Sequence, residues 1–302
     1  MASGLLGIEH LERSEIEAIL TRAKDYQPLQ DHSFKRLEIL KGRMIVNLFY
    51  EASTRTRTSF EIAAKRLGAD AISITAAGSS VSKGESLVDT LNTLVAMRPN
   101  AIVMRHAASG APHFLSRHLP VPIVNAGDGT HEHPTQALLD ARTILDYRPS
   151  LEGLRVAIIG DIAHSRVARS NIYLLSKFGV DIVLCGPAPL VPPELARIAP
   201  GVRITYDIRE AIRESDVIMM LRVQLERQHE AAYPAGEYFQ YYGLRLEHLE
   251  HAKKNAIVMH PGPINRGREI ASEVADSQSS VILNQVENGV AVRMAVLERI
   301  LG

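Results

Sequence analysis

From residue 44 onward, short apolar runs alternate with segments whose apolar residues recur at helical spacing, and this rhythm limits the possible folds more than any other feature. The runs are Met44–Tyr50, Ala71–Thr75, Ala101–Arg105 and Val121–Asn125, then Arg155–Gly160, Asp181–Cys185, Arg203–Tyr206, Asp216–Leu221 and Ala256–His260. Between them, Phe60, Ala63, Ala64 and Leu67 share one helical face closed by Gly68, and Glu85–Met97 forms a second such segment. A short helix is predicted near Pro112–His118, and another begins at Pro134, a residue whose missing N–H is harmless in a first turn. Strands that are apolar throughout and alternate with helices belong to parallel sheets covered on both faces. At 302 residues the chain exceeds one ordinary domain. The expected fold class is therefore α/β, with two doubly wound domains, each a parallel sheet flanked by helices.

The break between domains is expected near Asp146–Gly153, giving a first domain of residues 1–147 and a second of 148–284, with the helical stretch 285–302 packing back on the first. Upstream, Ser14-x-x-Glu17 is a capping-box pattern ahead of Ile16, Ile19, Leu20 and Ala23, which predicts the first helix. Residues 223–243 carry Tyr233, Tyr238, Phe239, Tyr241 and Tyr242 without a clear period, and read equally well as a binding lid or as aromatic packing.

Charge narrows the partners. Lys+Arg and Asp+Glu both number 34, so the chain lacks the basic surplus that nucleic-acid binding needs, while a local arginine cluster remains suited to a small anion. Cys185 stands alone in an apolar run and is expected to be a buried thiol in a reducing compartment. Met1–Leu11 has no basic segment ahead of an apolar core, and no run approaches the roughly 18 apolar residues of a membrane span. The expectation is a cytoplasmic protein.

Ser53-Thr54-Arg55-Thr56-Arg57 sits between a strand and a helix, where free N–H groups and the positive dipole end favour an anion. Three hydroxyls add donors, and Arg55 adds a planar fork matched to phosphate oxygens. An N-cap followed by solvated arginines accounts for one hydroxyl but not for three.

Phe49-Tyr50-Glu51-Ala52-Ser53-Thr54-Arg55-Thr56-Arg57 resembles the phosphate-binding signature of the aspartate and ornithine carbamoyltransferase family. Four further segments resemble that family in the same order: Ser79-Ser80-Val81-Ser82-Lys83-Gly84-Glu85, Val103-Met104-Arg105-His106, His133-Pro134-Thr135-Gln136 and His260-Pro261-Gly262-Pro263. The resemblance implies transfer of a carbamoyl group from carbamoyl phosphate, by direct attack of an amine, with no covalent enzyme intermediate and no metal or cofactor. It assigns the phosphate to Ser53, Thr54, Arg55 and Thr56, the carbonyl oxygen to Thr56, Arg105 and His133, and the carbamoyl amino group to Gln136 and the backbone at Gly262–Pro263. Charge grows on that oxygen as the amine attacks, so donors aimed there favour the transition state.

The loop carrying Ser79 or Ser80 and Lys83 is implied to close over the site of a neighbouring subunit in a homotrimer with shared active sites; which serine is used stays open. The segment from His260 to Gly267 resembles the aspartate-using branch, and the Ser-Met-Gly and His-Cys-Leu-Pro segments of ornithine users are absent. Aspartate brings two carboxylates, for which Lys83, Arg166, Arg222 and Gln224 are the candidates. Arg166 and Arg222 follow predicted strands, at the strand ends where open α/β sheets bind ligands. Glu51 and Arg227 are candidates for bridging the domains. Regulatory chains or dihydroorotase subunits stay open as partners.

Two other readings fail on the residues. Val156–Asp161 resembles a dinucleotide-binding strand, but Gly-x-Gly-x-x-Gly does not follow. Asp128, His131 and His133 are too irregularly spaced for a recognised zinc pattern.

Overall fold

Each of the nine apolar runs becomes a strand of a parallel sheet in the computed structural model, which describes residues 4–27, 36–75, 86–223 and 235–302. The chain divides into two compact units, Met1–Arg142 with Val286–Gly302, and Thr143–Gln285. That division falls inside a helix, a few residues ahead of the loop expected to separate the domains.

In the first unit the elements are α1 (Arg13–Tyr26), β1 (Met44–Phe49), α2 (Thr54–Arg66), β2 (Asp70–Thr75), α3 (Leu87–Ala96), β3 (Ala101–His106), α4 (Ala111–Ser116), β4 (Ile123–Asp128) and the start of α5 (Pro134–Tyr147). The strands pair in the order β2-β1-β3-β4, all parallel. Val46, Leu48, Ile102, Met104 and Ile123 pack one face of the sheet against Leu91, Leu94 and Leu115 of α3 and α4. The second unit holds β5 (Arg155–Ile159), α6 (Arg166–Ser176), β6 (Asp181–Cys185), β7 (Val202–Thr205), α7 (Ile208–Ile212), β8 (Val217–Met220), α8 (Ala235–Tyr242), α9 (Leu246–Leu249), β9 (Ile257–Met259) and α10 (Ser272–Ala275). Its parallel order is β7-β6-β5-β8-β9. The last helix, α11 (Ile282–Leu301), begins in the second unit and lies mostly in the first.

Several boundaries differ from expectation. β4 starts at Ile123 rather than Val121, because Pro122 has no N–H for the ladder, and it runs on to Asp128 through an irregular pairing with His106. α1 starts at Arg13, and it is Glu15, not Glu17, whose carboxylate accepts the N–H of the capping residue Glu12 at 2.9 Å. α3 starts at Leu87 behind the cap Ser86, whose hydroxyl accepts the Asp89 N–H at 3.1 Å. Residues 235–242 form α8, with Tyr238 and Tyr242 buried in the core beside Ile218 and Val258, so aromatic packing is the correct reading there. Tyr233 lies outside the described residues.

Cys185 is buried at the end of β6, and burial pushes its thiol up to about 12. A thiol reagent at pH 8 is therefore expected to label the native protein at a negligible rate and to react fully once denaturant is added; rapid labelling without denaturant would show the site to be open. No helix among the described residues is long and apolar enough to cross a membrane.

Candidate functional site

The topology of the first sheet dictates where a ligand can sit. From β1 the chain moves to β2 on one side, then crosses to β3 and β4 on the other, so the connections leaving β1 and β3 diverge. Open α/β sheets bind ligands in the crevice at such a point, outside the carboxyl ends of the strands. Phe49 pairs with Arg105 in register, and the Tyr50 N–H donates to the Arg105 carbonyl at 2.9 Å. The Ser53–Arg57 turn after β1 and the side chain of Arg105 at the end of β3 thus leave the same edge of adjacent strands.

Ser53 caps α2 in an extended conformation, yet its hydroxyl makes no capping bond, and the first turn carries no acidic residue. No carboxylate within that first turn offsets the positive end of the helix. Thr54 and Arg55 are exposed and Thr56 is buried. Arg57 is half-buried and directed along the helix to Glu61, 3.8 Å away.

Arg105 is held from two sides: one guanidinium nitrogen donates to Glu51 Oε1 at 2.6 Å, another to the Ala126 carbonyl at 3.3 Å. The carboxylate that the sequence suggested as a bridge toward Arg227 is therefore ion-paired to Arg105 within the same unit; Arg227 lies outside the described residues. Beside it, His106 accepts the Ala108 N–H at Nδ1, which leaves its proton on Nε2, and burial lowers its pKa.

His133 and Gln136 arrive through the loop after β4. That loop is anchored by Asp128, fully buried, whose carboxylate accepts from Gly110 N (2.6 Å), Asn125 Nδ2 (2.7 Å), Glu132 N (3.1 Å) and His131 Nδ1 (3.0 Å). Gly129, at φ +46°, donates to the His106 carbonyl, and a Cβ there would strike Ser109. The result places His133, buried, immediately ahead of Pro134 at the start of α5. One turn on, Gln136 Nε2 donates to Asp140 Oδ1 at 2.9 Å. Arg293 of α11 lies close by: it is buried, stacked 5.1 Å over the Phe60 ring of α2, and pushed down to about 9 by burial, with Asp140 opposing that fall and Arg105 adding to it.

His113, Asp128 and His131 bring possible metal-ligand atoms within 4.8 Å of one another, so the grouping of Asp128 with His131 and His133 changes: His113 takes the place of His133. The four donors already on Asp128 match the lone-pair capacity of a carboxylate, and the cluster is built as a hydrogen-bonded anchor.

The second sheet obeys the same topological rule, reversing between β5 and β8. Ile159 pairs with Met220, and Gly160 (φ +142°) passes so close to Leu221 that a Cβ would lie 2.9 Å from the Leu221 Cβ. The buried carboxylate of Asp161 takes the His164 ring nitrogen at 2.8 Å, and the Ser165 hydroxyl caps α6 through the Ala168 N–H. Arg166 is the first residue of α6 and is 4% exposed, and Arg222 stands half-buried two residues past β8. After β9, His260 Nδ1 accepts the Gly262 N–H at 2.8 Å, so its Nε2 proton points to the buried Glu269, 3.3 Å away. Glu269 also accepts the Asn265 N–H, and the pair fixes the turn at Gly262–Pro263, whose peptide is cis.

The sequence-derived residues thus fall into two groups. Ser53, Thr54, Arg55, Thr56, Arg105, His133 and Gln136 follow β1, β3 and β4 of the first sheet; Arg166, Arg222, Gly262 and Pro263 follow β5, β8 and β9 of the second. Ser79, Ser80, Lys83 and Gln224 lie outside the described residues. Asp140, Arg293 and Asp128 were not singled out for these roles; only the spacing of Gln136 and Asp140 on one helix face carried a signal.

Comparison with known proteins adds an independent line. Residues 4–146 match the carbamoyl-phosphate-binding domain of aspartate/ornithine carbamoyltransferases, and residues 152–300 match their aspartate/ornithine-binding domain. A protein from Solibacter usitatus named aspartate carbamoyltransferase catalytic subunit is 78% identical over 302 residues, covering 100% of both chains. An aspartate transcarbamoylase from Trypanosoma cruzi, solved with carbamoyl phosphate and aspartate, superposes with a TM-score of 0.89 at 32% identity, covering 100% of this chain and 97% of the other. An ornithine carbamoyltransferase from Pyrococcus furiosus gives a TM-score of 0.90 at 29% identity over 100% and 97% of the chains. Fold similarity therefore spans both acceptors, while the high full-length identity lies with an aspartate user.

Proposed function

The chain belongs to the aspartate/ornithine carbamoyltransferase family, and on that premise we propose that it transfers the carbamoyl group of carbamoyl phosphate to the amine of L-aspartate. The products are N-carbamoyl-L-aspartate and phosphate, an early step of pyrimidine biosynthesis. The observation that carries this reading is the juxtaposition of the Ser53–Arg57 turn with Arg105 across the β1–β3 pairing, at the switch point of the first sheet.

Carbamoyl phosphate is a small dianion with a carbonyl, and the first unit offers complementary groups. Ser53, Thr54, Arg55 and Thr56 take the phosphate at the start of α2. Arg105, His133 and Thr56 donate to the carbonyl oxygen, and Gln136 accepts from the amino group. In the second unit, Arg166 and Arg222 supply cations for the two aspartate carboxylates, with Gln224 beside them in sequence, and the Gly262–Pro263 backbone accepts from the carbamoyl amino group. The neutral aspartate amine attacks the carbonyl carbon, a C–N bond forms, and the C–O bond to phosphate breaks. The departing phosphate takes the amine proton, so the step balances without a protein base. Holding both reactants in attack geometry lowers the barrier by removing the entropy of their encounter. Lys83, with Ser79 or Ser80, completes the site of a neighbouring copy in a cytoplasmic homotrimer. Regulatory chains or dihydroorotase subunits are the further partners this reading allows.

Phosphate release measured with aspartate and with ornithine separately tests the assignment. Aspartate alone is expected to support turnover, and Arg55→Ala is expected to weaken carbamoyl-phosphate binding by about tenfold or more in calorimetry. Turnover with ornithine alone would move the chain to the other branch of the family. Intact turnover in Arg55→Ala, together with no heat from carbamoyl phosphate on the unaltered chain, would remove the phosphate site.

A further inference from the structure

The amide of Gln136 can be placed either way round, and the choice decides which donor it can recognise. Its Nε2 lies 2.9 Å from Asp140 Oδ1, one turn along α5, with Gln136 8% and Asp140 0% exposed. A carboxylate only accepts hydrogen bonds, so the reversed amide would set two oxygens against each other in a buried place. The observed orientation therefore turns Oε1 away from Asp140 and presents it as an acceptor.

We propose that Asp140 is a positioning residue that sets substrate selectivity: by holding the Gln136 amide with its carbonyl outward, it makes the site select an acyl phosphate that carries an N–H₂ group on its carbonyl carbon. This rests on the assignment of Gln136 to the carbamoyl amino group made above. The same Gln136 with its amide reversed would offer a donor, and would favour a ligand presenting an oxygen there instead.

The surroundings of Asp140 are built to keep that orientation. Its neighbour Arg293 is buried to 3% exposure, donates to the Gly289 carbonyl at 2.9 Å, and stacks on Phe60. The attraction between Asp140 and Arg293 works against the desolvation that draws the guanidinium down to about 9, which still leaves it charged at neutral pH. The acidic partner of the amide is thus matched by a cation from α11, and removal of either charge alone leaves the other buried and less compensated.

Acetyl phosphate is the probe, since it keeps the phosphate and the carbonyl and replaces the amino group by methyl. The ratio of carbamoyl-phosphate to acetyl-phosphate affinity, measured by competition in the full chain, is expected to fall about tenfold in Asp140→Asn, the cost of one hydrogen bond in a buried site. Affinity for inorganic phosphate is expected to stay unchanged. In a Gln136→Leu background, Asp140→Asn is expected to move the ratio no further, because the residue acts through the amide. Should Asp140→Asn not fold, the paired Asp140→Asn/Arg293→Met chain removes both buried charges and carries the same measurement. An unchanged ratio in a folded variant overturns the proposal, as does an equal effect with and without the Gln136 amide. An unaltered chain with no turnover on carbamoyl phosphate and aspartate removes the functional reading itself, and this inference with it; normal turnover with an unchanged ratio in the variant removes this inference alone.

Discussion

Replacing Arg105 by Ala is expected to lower kcat by about 10²–10³-fold, the loss seen when one preorganised donor to a developing oxyanion is removed. The size of the effect follows from how the side chain is held. Glu51 at 2.6 Å and the Ala126 carbonyl at 3.3 Å orient the guanidinium before any ligand arrives, so no reorganisation is needed as charge grows on the carbonyl oxygen. Arg105→Lys is the informative companion. It keeps the charge but loses the planar fork, and a single ammonium cannot hold both anchors and still face the ligand, so its kcat is expected to fall between the two. Because the interaction strengthens in the transition state, kcat should fall further than carbamoyl-phosphate affinity does. Steady-state kinetics combined with calorimetry separate the two quantities. A variant in which only KM rises would show that Arg105 binds the ground state and takes no part in the chemical step.

The strands and the first-sheet site residues were legible in the sequence for one shared reason. A parallel sheet built from strand–loop–helix units must put every strand's carboxyl end on the same edge, so residues just after the apolar runs are brought together wherever the strands pair. Ser53–Arg57, Arg105 and His133 are such residues. The start of β4 is blurred because Pro122 looks like part of an apolar run but has no N–H to donate, although its carbonyl accepts from Ile102, and the α1 cap because Glu12 and Glu15 serve where Ser14 and Glu17 also fit the pattern. Glu51 was noticed in the sequence, but its partner was not, since the pairing with Arg105 depends on strand register rather than on any local spacing. The role of Arg293 was invisible for a similar reason. Arginine is by default an exposed residue, and only the packing of α11 against Phe60 shows it to be buried. Arg166, a candidate for the aspartate carboxylates in the sequence, is buried as well, which its place at the first turn of a helix does not signal.

Asp128→Ala is expected to destabilise the first unit by about 3 kcal/mol, because it leaves several buried donors without their acceptor at about 1–3 kcal/mol each before relaxation. For a unit of this size the melting temperature should fall by roughly 6–12 °C at neutral pH. The pH dependence has a definite sign. Burial alone would raise the Asp128 pKa, but the hydrogen bonds from His131, Asn125 and Gly110 outweigh it and hold the carboxyl below its ordinary 3.8. A folded-state pKa lower than the unfolded one contributes stability that is complete above the unfolded value and is lost as pH falls through the folded one. The gap in melting temperature between the unaltered chain and Asp128→Ala should therefore be widest near neutrality, and should close as the pH drops below 3.8. A gap of equal width at pH 7 and pH 3 would mean that shape, not charge, is what the anchor supplies. The same loop delivers His133 to the start of α5, so the variant should also lose turnover at temperatures where it remains folded. Activity retained in full by the folded variant would separate the anchor from the chemistry and leave Asp128 a purely structural residue.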